Sequence, residues 1–430
     1  MAEKVERKER KPELRFKGFD GEWEEEKFSS VFSYLQNNTL SRAELTSDTG
    51  FAKNIHYGDI LTKFEEVLDV ENIDLPFTSN KDVVAKFSSS FLRDKDVVIA
   101  DTAEDETVGK CCELKGVRDD IVLSGLHTIP CRPNQTFSSE YLGYYLNSPA
   151  YHSQLLPLMQ GTKVTSISKN ALGDTEILYP ATSDEQGKIS CVFSSLTLLI
   201  TNQQHKYDQL QNLKKAMLEK MFPRDGADVP EIRFKGFEKP WKRVMLPEFV
   251  KFYGGLTYNP DNVCSDGTLV LRSSNVKYGE IVDADNVYVS PDIVNSDNVQ
   301  KGDIVVVVRN GSRALIGKHA IIREDMPNTV IGAFMTGIRC DHPSFTSALL
   351  ETSHFEKEVE KNMGATINQI TGYMFSRMEF NIPQSQEQIE IGKYFTHIDS
   401  IISYQQKKIE HLKHLKSALL EKMFVSEAAA

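Results

Sequence analysis

Residues 308–323, VRNGSRALIGKHAIIR, hold Arg309, Arg313, Lys318 and Arg323 and no acid. Residues 160–173, QGTKVTSISKNALG, hold Lys163 and Lys169, again without an acid. Guanidinium and ammonium groups set among hydroxyls, amides and glycines suit contact with phosphate. A solvated loop beside a strand has the same composition, and these residues alone do not separate the two readings. The whole chain carries a formal charge of −11. That argues against a uniformly basic nucleic-acid binder, so the local distribution matters more than the sum.

Catalytic signatures are missing. The string NPD at Asn259 is not the Asn-Pro-Pro-aromatic motif of amino methylation, and there is no Gly-x-Gly-x-x-Gly loop or Walker A loop. PDIVNSD, from Pro291, lacks the acidic-x-lysine partner of a nuclease core. His127, His152, His205, His319 and His354 are isolated, without metal-ligand spacing. None of the six cysteines forms a C-x-x-C pair, so they read as reduced thiols of a cytoplasmic protein. No apolar run approaches the roughly 18–20 residues that span a bilayer, and the charged start, MAEKVERKERK, is unlike a secretory signal.

What must position the basic stretches is a chain that starts twice. PELRFKGFDGEW from Pro12 returns as PEIRFKGFEKPW from Pro230, and Trp23 and Trp241 are the only tryptophans. LKKAMLEKMF, ending at Phe222, returns as LKSALLEKMF, ending at Phe424. Between these markers GTKVTSI from Gly161 parallels GATINQI from Gly364, and residues 95–110 resemble residues 302–318. A repeat of about 200 residues is the size of a duplicated domain.

Each half closes in a long predicted helix. Val192, Leu196, Leu199, Gln203, Lys206 or Tyr207, Leu210, Leu213, Met217 and Met221 recur at steps of three and four. The second copy reads Ile391, Phe395, Ile398, Ile402, Gln405, Ile409, Leu412, Leu415, Leu419 and Met423. Gln203 and Gln405 each put an amide in mid-seam, where a polar residue fixes register. Ser183 and Ser385 supply N-cap chemistry, and Pro223 stops the first helix. The helices are expected to pair with each other, antiparallel, about a pseudo-two-fold axis. DILTKF, KDVVIA, TEILYP, TLVLRSS, GDIVVVV and HAIIR read as short strands, and residues 138–159 and 345–363 as helical. The fold class is therefore α+β: two mixed, β-rich domains separated by two long helices that form an antiparallel coiled coil.

LRFKGFDGEW, IHYGDIL, KDVVIADTAEDETVGK, SGLHTIPCRP, GTKVTSISK and the twice-occurring LEKMF, in this order, resemble the specificity (S) subunit of type I restriction-modification systems, over residues 12–424. The resemblance implies target-recognition domains at 12–182 and 229–382, each reading one half of a bipartite site in double-stranded DNA. It implies conserved helices at 183–228 and 383–424 that set the spacing and bind two methyltransferase (M) subunits, with restriction (R) subunits joining the full complex. Residues 1–11 read as a charged arm and 425–430 as a tail. The chain itself is expected to be non-catalytic, with no metal, and S-adenosylmethionine, ATP and Mg are expected on its partners. Base-edge and phosphate contacts are assigned to Lys163, Thr165, Ser168 and Lys169 in the first domain. In the second they are assigned to Arg309, Asn310, Ser312, Arg313, Asn368 and Gln369. Methyltransferase contact is assigned to Lys214, Leu218, Met221, Phe222, Lys416, Leu420, Met423 and Phe424, taken as exposed or flanking the seam. The competing reading is a structural adaptor with tandem β-rich domains and no affinity for DNA.

Overall fold

The computed structural model describes residues 10–161, 163–363 and 368–425. Most of the predicted arm and tail, and the Gly-Ala-Thr-Ile start of GATINQI, lie outside the described residues. The chain divides into two compact units: residues up to Asn202 together with those from Ile409 onward, and residues Gln203–Lys408. The two long helices, Ser183–Met221 and Ser385–Lys422, each contribute to both units.

In the first unit a five-stranded sheet runs in the order Phe32–Tyr34, Thr128–Pro133, Val97–Ala100, Cys111–Lys115, Val67–Asp69. A second sheet holds Phe77–Thr78, Ala52–Ile55 and Val122–Ser124, the last two parallel. The second unit repeats this plan. One sheet runs Val250–Gly254, Met335–Cys340, Ile304–Val307, His319–Ile321. The other pairs Thr268–Leu271 in parallel with Thr329–Ile331. In each unit a two-stranded ladder precedes a long helix: Glu24–Lys27 with Glu176–Tyr179, and Lys242–Met245 with Glu379–Ile382. Val97–Ala100 and Ile304–Val307 are buried along their whole length, which is why they read as continuous apolar runs.

The repeated opening motif is a clamp on a helix start. Arg15 grips Glu185 with two bonds of 2.7 and 2.9 Å, and Arg233 grips Glu387 with two of 2.7 Å. Such forked, charge-assisted pairs place one carboxylate in the first turn of each long helix, where the helix dipole favours it. Gly18 and Gly236 both lie at positive φ, +94° and +92°, a conformation that favours glycine. Trp23 meets Phe424 edge to face, as Trp241 meets Phe222. So the opening and closing repeats touch: Trp23 packs on the LEKMF of the C-terminal helix, and Trp241 on that of the central helix.

Several sequence expectations need correction. DILTKF is not a strand; Tyr57–Thr62 is helical, because His56 accepts the Gly58 N–H and caps a turn. Both long helices begin at the serine read as their cap. In the first, Thr182 Oγ1 accepts the Glu185 N–H instead. Val425, placed in the tail, is buried in the first core. In the second helix the predicted seam is buried from Ile391 to Leu412 and again at Met423, whereas in the first helix only Gln203 and Met221 of the predicted seam are fully buried. Ile189, Phe193, Lys214 and Leu218 are buried, whereas Leu199, Leu213 and Leu415 face outward. Each helix has apolar residues on two faces, and spacing alone could not say which one turns inward.

Candidate nucleic-acid interface

In the second unit the fold joins the two sequence stretches that were selected separately. Residue Arg309 bridges Gln369 in antiparallel fashion. Asn310 donates its backbone N–H to Asn368 O at 3.4 Å, and Asn368 Nδ2 donates to Gly311 O at 3.0 Å. Asn310 Oδ1 accepts the Ser312 N–H, tightening the loop. Arg313 opens a short 3-10 turn and is exposed, as are Arg309 and Ser312. The Arg309 guanidinium lies 5.0 Å from the centre of the exposed Phe334 ring, a cation–π contact. Nearby Thr371 caps the helix Gly372–Ser376, whose exposed Tyr373 carries Arg377 over its ring. Exposed arginines interleaved with exposed aromatic faces fit a polyanion with stacked bases.

The first unit builds the equivalent junction differently. Thr165–Ser166 pairs with Thr102–Ala103, so the predicted loop lies against residues 101–107. Thr165 Oγ1 donates to Ala103 O and Asp105 O, at 3.2 and 2.9 Å. The stretch that is free of acid in sequence is therefore beside Asp105 in space, which lowers its appeal as a phosphate site. Ser168 caps Lys169–Gly173 by accepting the Ala171 N–H, so its hydroxyl is already engaged. Lys163 and Lys169 are exposed. The Lys169 ammonium sits 5.7 Å from the Tyr34 ring centre. Burial pushes the Tyr34 hydroxyl up to about 12. It therefore stays a donor, to Lys169 O at 2.8 Å.

Lys169 also borders a cleft of about 410 Å³ that the sequence reading missed, lined by Gln36, Asn37, Thr39, Lys86 and Phe87 among others. The signal was present as the polar run QNNT beside the lysine-bearing KDVVAK, but no spacing rule links residues 50 apart.

The eight residues assigned to methyltransferase contact, taken as exposed or flanking the seam, are all buried within the chain. Leu218, Met221 and Phe222 belong to the core of the second unit, and Leu420, Met423 and Phe424 to that of the first. Lys214 is paired with both Glu351 and Asp399. Burial disfavours its charge, but the two carboxylates outweigh this and raise its pKa. Lys416 pairs with Glu66 at 2.7 Å. Both lysines tie a helix to a β-rich domain, and losing either partner would strand a buried charge. Outward on the helices are Leu199 and Leu415 in the first unit, 38% and 40% exposed, and Leu213 and Ile401 in the second, 48% and 37% exposed. Among the described residues no cluster of three or more His, Cys, Asp or Glu is arranged to hold a metal, and no helix is long and apolar enough to cross a membrane.

Residues 238–414 match the family described as type I restriction modification DNA specificity domain. The type I restriction enzyme MjaVIII specificity subunit of Methanocaldococcus jannaschii is 23% identical over 67% of this chain and 69% of that relative. The EcoKI specificity subunit of Escherichia coli is 26% identical, over 39% of this chain and 38% of its own length. In fold, the type I S subunit of M. genitalium matches 96% of this chain and 99% of its own, with a TM-score of 0.61 at 15% identity. A chain from a structure on complex assembly and conformational transition of the type I R-M system covers 94% of this chain and 97% of its own, with a TM-score of 0.51 at 18% identity. Residues 238–414 thus carry the type I restriction modification DNA specificity domain, and the chain as a whole is similar in sequence to type I specificity subunits and shares the fold of a type I S subunit.

Proposed function

We propose that this chain is the DNA sequence-recognition subunit of a type I restriction-modification complex, and that each β-rich domain reads one half of a bipartite site. The observation that carries this reading is the junction of Arg309 with Gln369, which joins two loops into one surface of exposed arginines and half-buried amides beside Phe334. The common sheet plan of the two units supports an internal duplication, with boundaries near 12–182 and 229–382 for the recognition domains. The Gln203–Gln405 contact supports an antiparallel coiled coil. The chain acts without catalysis of its own. Two methyltransferase subunits bind the long helices, on which Leu199 and Ile401, and likewise Leu213 and Leu415, are outward and at equivalent positions 202 residues apart. S-adenosylmethionine, ATP and Mg belong to the partner subunits, restriction subunits complete the assembly, and the complex works in the cytoplasm.

The test is DNA binding and methylation by the full chain co-purified with its methyltransferase subunits. Binding should weaken steeply with salt, as counterion release requires, and methylation should fall at one bipartite sequence. A complex without DNA affinity at low salt would favour the adaptor reading.

A further inference from the structure

The cleft in the first unit differs from the other candidate surfaces in how its side chains are held. The connection after Phe32–Tyr34 is pinned at both ends. Leu35 donates its N–H to Pro130 O, and Asn38 donates its own to Ser124 O. The Gln36 N–H goes to Ser90 Oγ at 3.1 Å. Asn38 is buried; its amide donates to Ser124 O at 2.9 Å, and its oxygen accepts the Leu40 N–H. The Asn37 amide leans on Gly125 O at 3.3 Å. The backbone from 35 to 40 is therefore fixed, yet the exposed Gln36 amide and Thr39 hydroxyl have no hydrogen-bond partner among the described residues. A loop with a fixed backbone has little backbone entropy left to lose on binding, so the cost that remains is that of ordering the Gln36 side chain.

Two lysines stand among the apolar residues of the rest of the lining, Leu40, Val83 and Phe87. The Lys86 ammonium lies 5.3 Å from the Phe87 ring centre, Lys169 stands at the border, and no acid lines the cleft. The second unit has no such loop. There the matching connection, which ends in the backbone bond from Leu256 N to Ile331 O, carries Gly254 and Gly255 instead. A Cβ at Gly255 would stand 2.1 Å from Gly332 O, so no side chain fits at that point.

We infer that this cleft is a base-reading site of the first recognition domain, in which Gln36 reads an adenine edge and Lys86 and Lys169 hold the flanking phosphates. The inference rests on the DNA-recognition reading above. A carboxamide matches the N6 donor and N7 acceptor of adenine in the major groove, while the two lysines lie where backbone contacts would fix register. Because the second unit has glycines at the same place, this contact belongs to one half-site only.

The experiment uses the full chain with its methyltransferase subunits and a randomised double-stranded DNA library, with methylated positions read by sequencing. Gln36→Ala should relax one adenine position by about ten- to a hundredfold. The relaxed position should fall in the half-site not altered by Arg309→Ala. Lys86→Ala should weaken binding to all sequences alike and lower the salt slope by about one. An unchanged motif with Gln36→Ala overturns the inference, as does relaxation in the half-site that Arg309→Ala alters. A wild-type complex that methylates at a defined site while both cleft variants behave as wild type defeats the cleft alone. A wild-type complex with no salt-dependent binding defeats the DNA reading itself.

Discussion

Gln405 donates its side-chain amide to Gln203 Oε1 at 2.6 Å and to Gln203 O at 3.1 Å, with both residues buried. Two positions 202 apart in sequence thus meet each other, as a two-fold-related pair would. Substituting one side alone, as in Gln405→Leu, strands the other amide and should cost about 1–3 kcal/mol. The double Gln203→Leu, Gln405→Leu chain should recover most of that loss. Urea unfolding of the four proteins measures it; additive losses would mean that the two amides do not depend on each other.

Arg309→Ala and Arg313→Ala should each alter one half of the recognised site and leave the other intact. Losing a bidentate contact removes about 1–3 kcal/mol of base discrimination. Methylation mapping of each variant complex is the measurement, and unchanged maps in both would remove this loop from the interface.

Glu113 supplies a pH signature. Burial lifts its carboxyl to about 7, against two backbone N–H bonds, from Glu140 and Gly143, that favour the charge. Between the ordinary glutamate value and that raised one, the unfolded chain has released a proton that the folded chain retains. Stability therefore falls as pH rises through that window, by up to about 3 kcal/mol, and is flat above it. Unfolding free energies from pH 4.5 to 8 should show this fall relative to Glu113→Gln. Parallel profiles for the two proteins would exclude it.

Phe424 touches Trp23, Tyr141, Tyr145 and Phe193. Phe424→Ala should cost about 3–5 kcal/mol, felt in the first unit. Hydrogen exchange should rise in strands such as Val97–Ala100 before it rises in Ile304–Val307.

A fragment of residues 1–226 lacks Leu420, Met423 and Phe424 but carries their counterparts Leu218, Met221 and Phe222, with no second unit to occupy them. It should dimerise, each copy filling the other's core, and with methyltransferase subunits it should modify a palindrome of one half-site. Light scattering and methylation mapping test this; a soluble monomer would count against the pseudo-symmetry.

Much of the architecture was legible because it is written twice. The repeat of PELRFKGF as PEIRFKGF marked two equivalent openings, but that Arg15 and Arg233 clamp Glu185 and Glu387 had to be seen in the fold. The seam of the second helix was legible in period and phase from Ile391 to Leu412; that of the first was legible in period alone, since Leu199 and Leu213 are as apolar as Phe193 and Leu218. At the candidate interface, sequence found the basic loops but could not see Asp105 folding against Thr165. Nor could it see Gln36 and Lys86 meeting across a cleft, because both facts depend on long-range strand pairing.

The residues that close the first core, Leu420 to Val425, are translated only after the whole second unit. During synthesis the first unit must wait with Tyr141, Tyr145 and Phe193 uncovered, although its own strands emerged long before. Folding is thereby gated by the completion of the message. A chain interrupted after Lys408 would hold every residue of its second unit but lack the residues that close the core of its first.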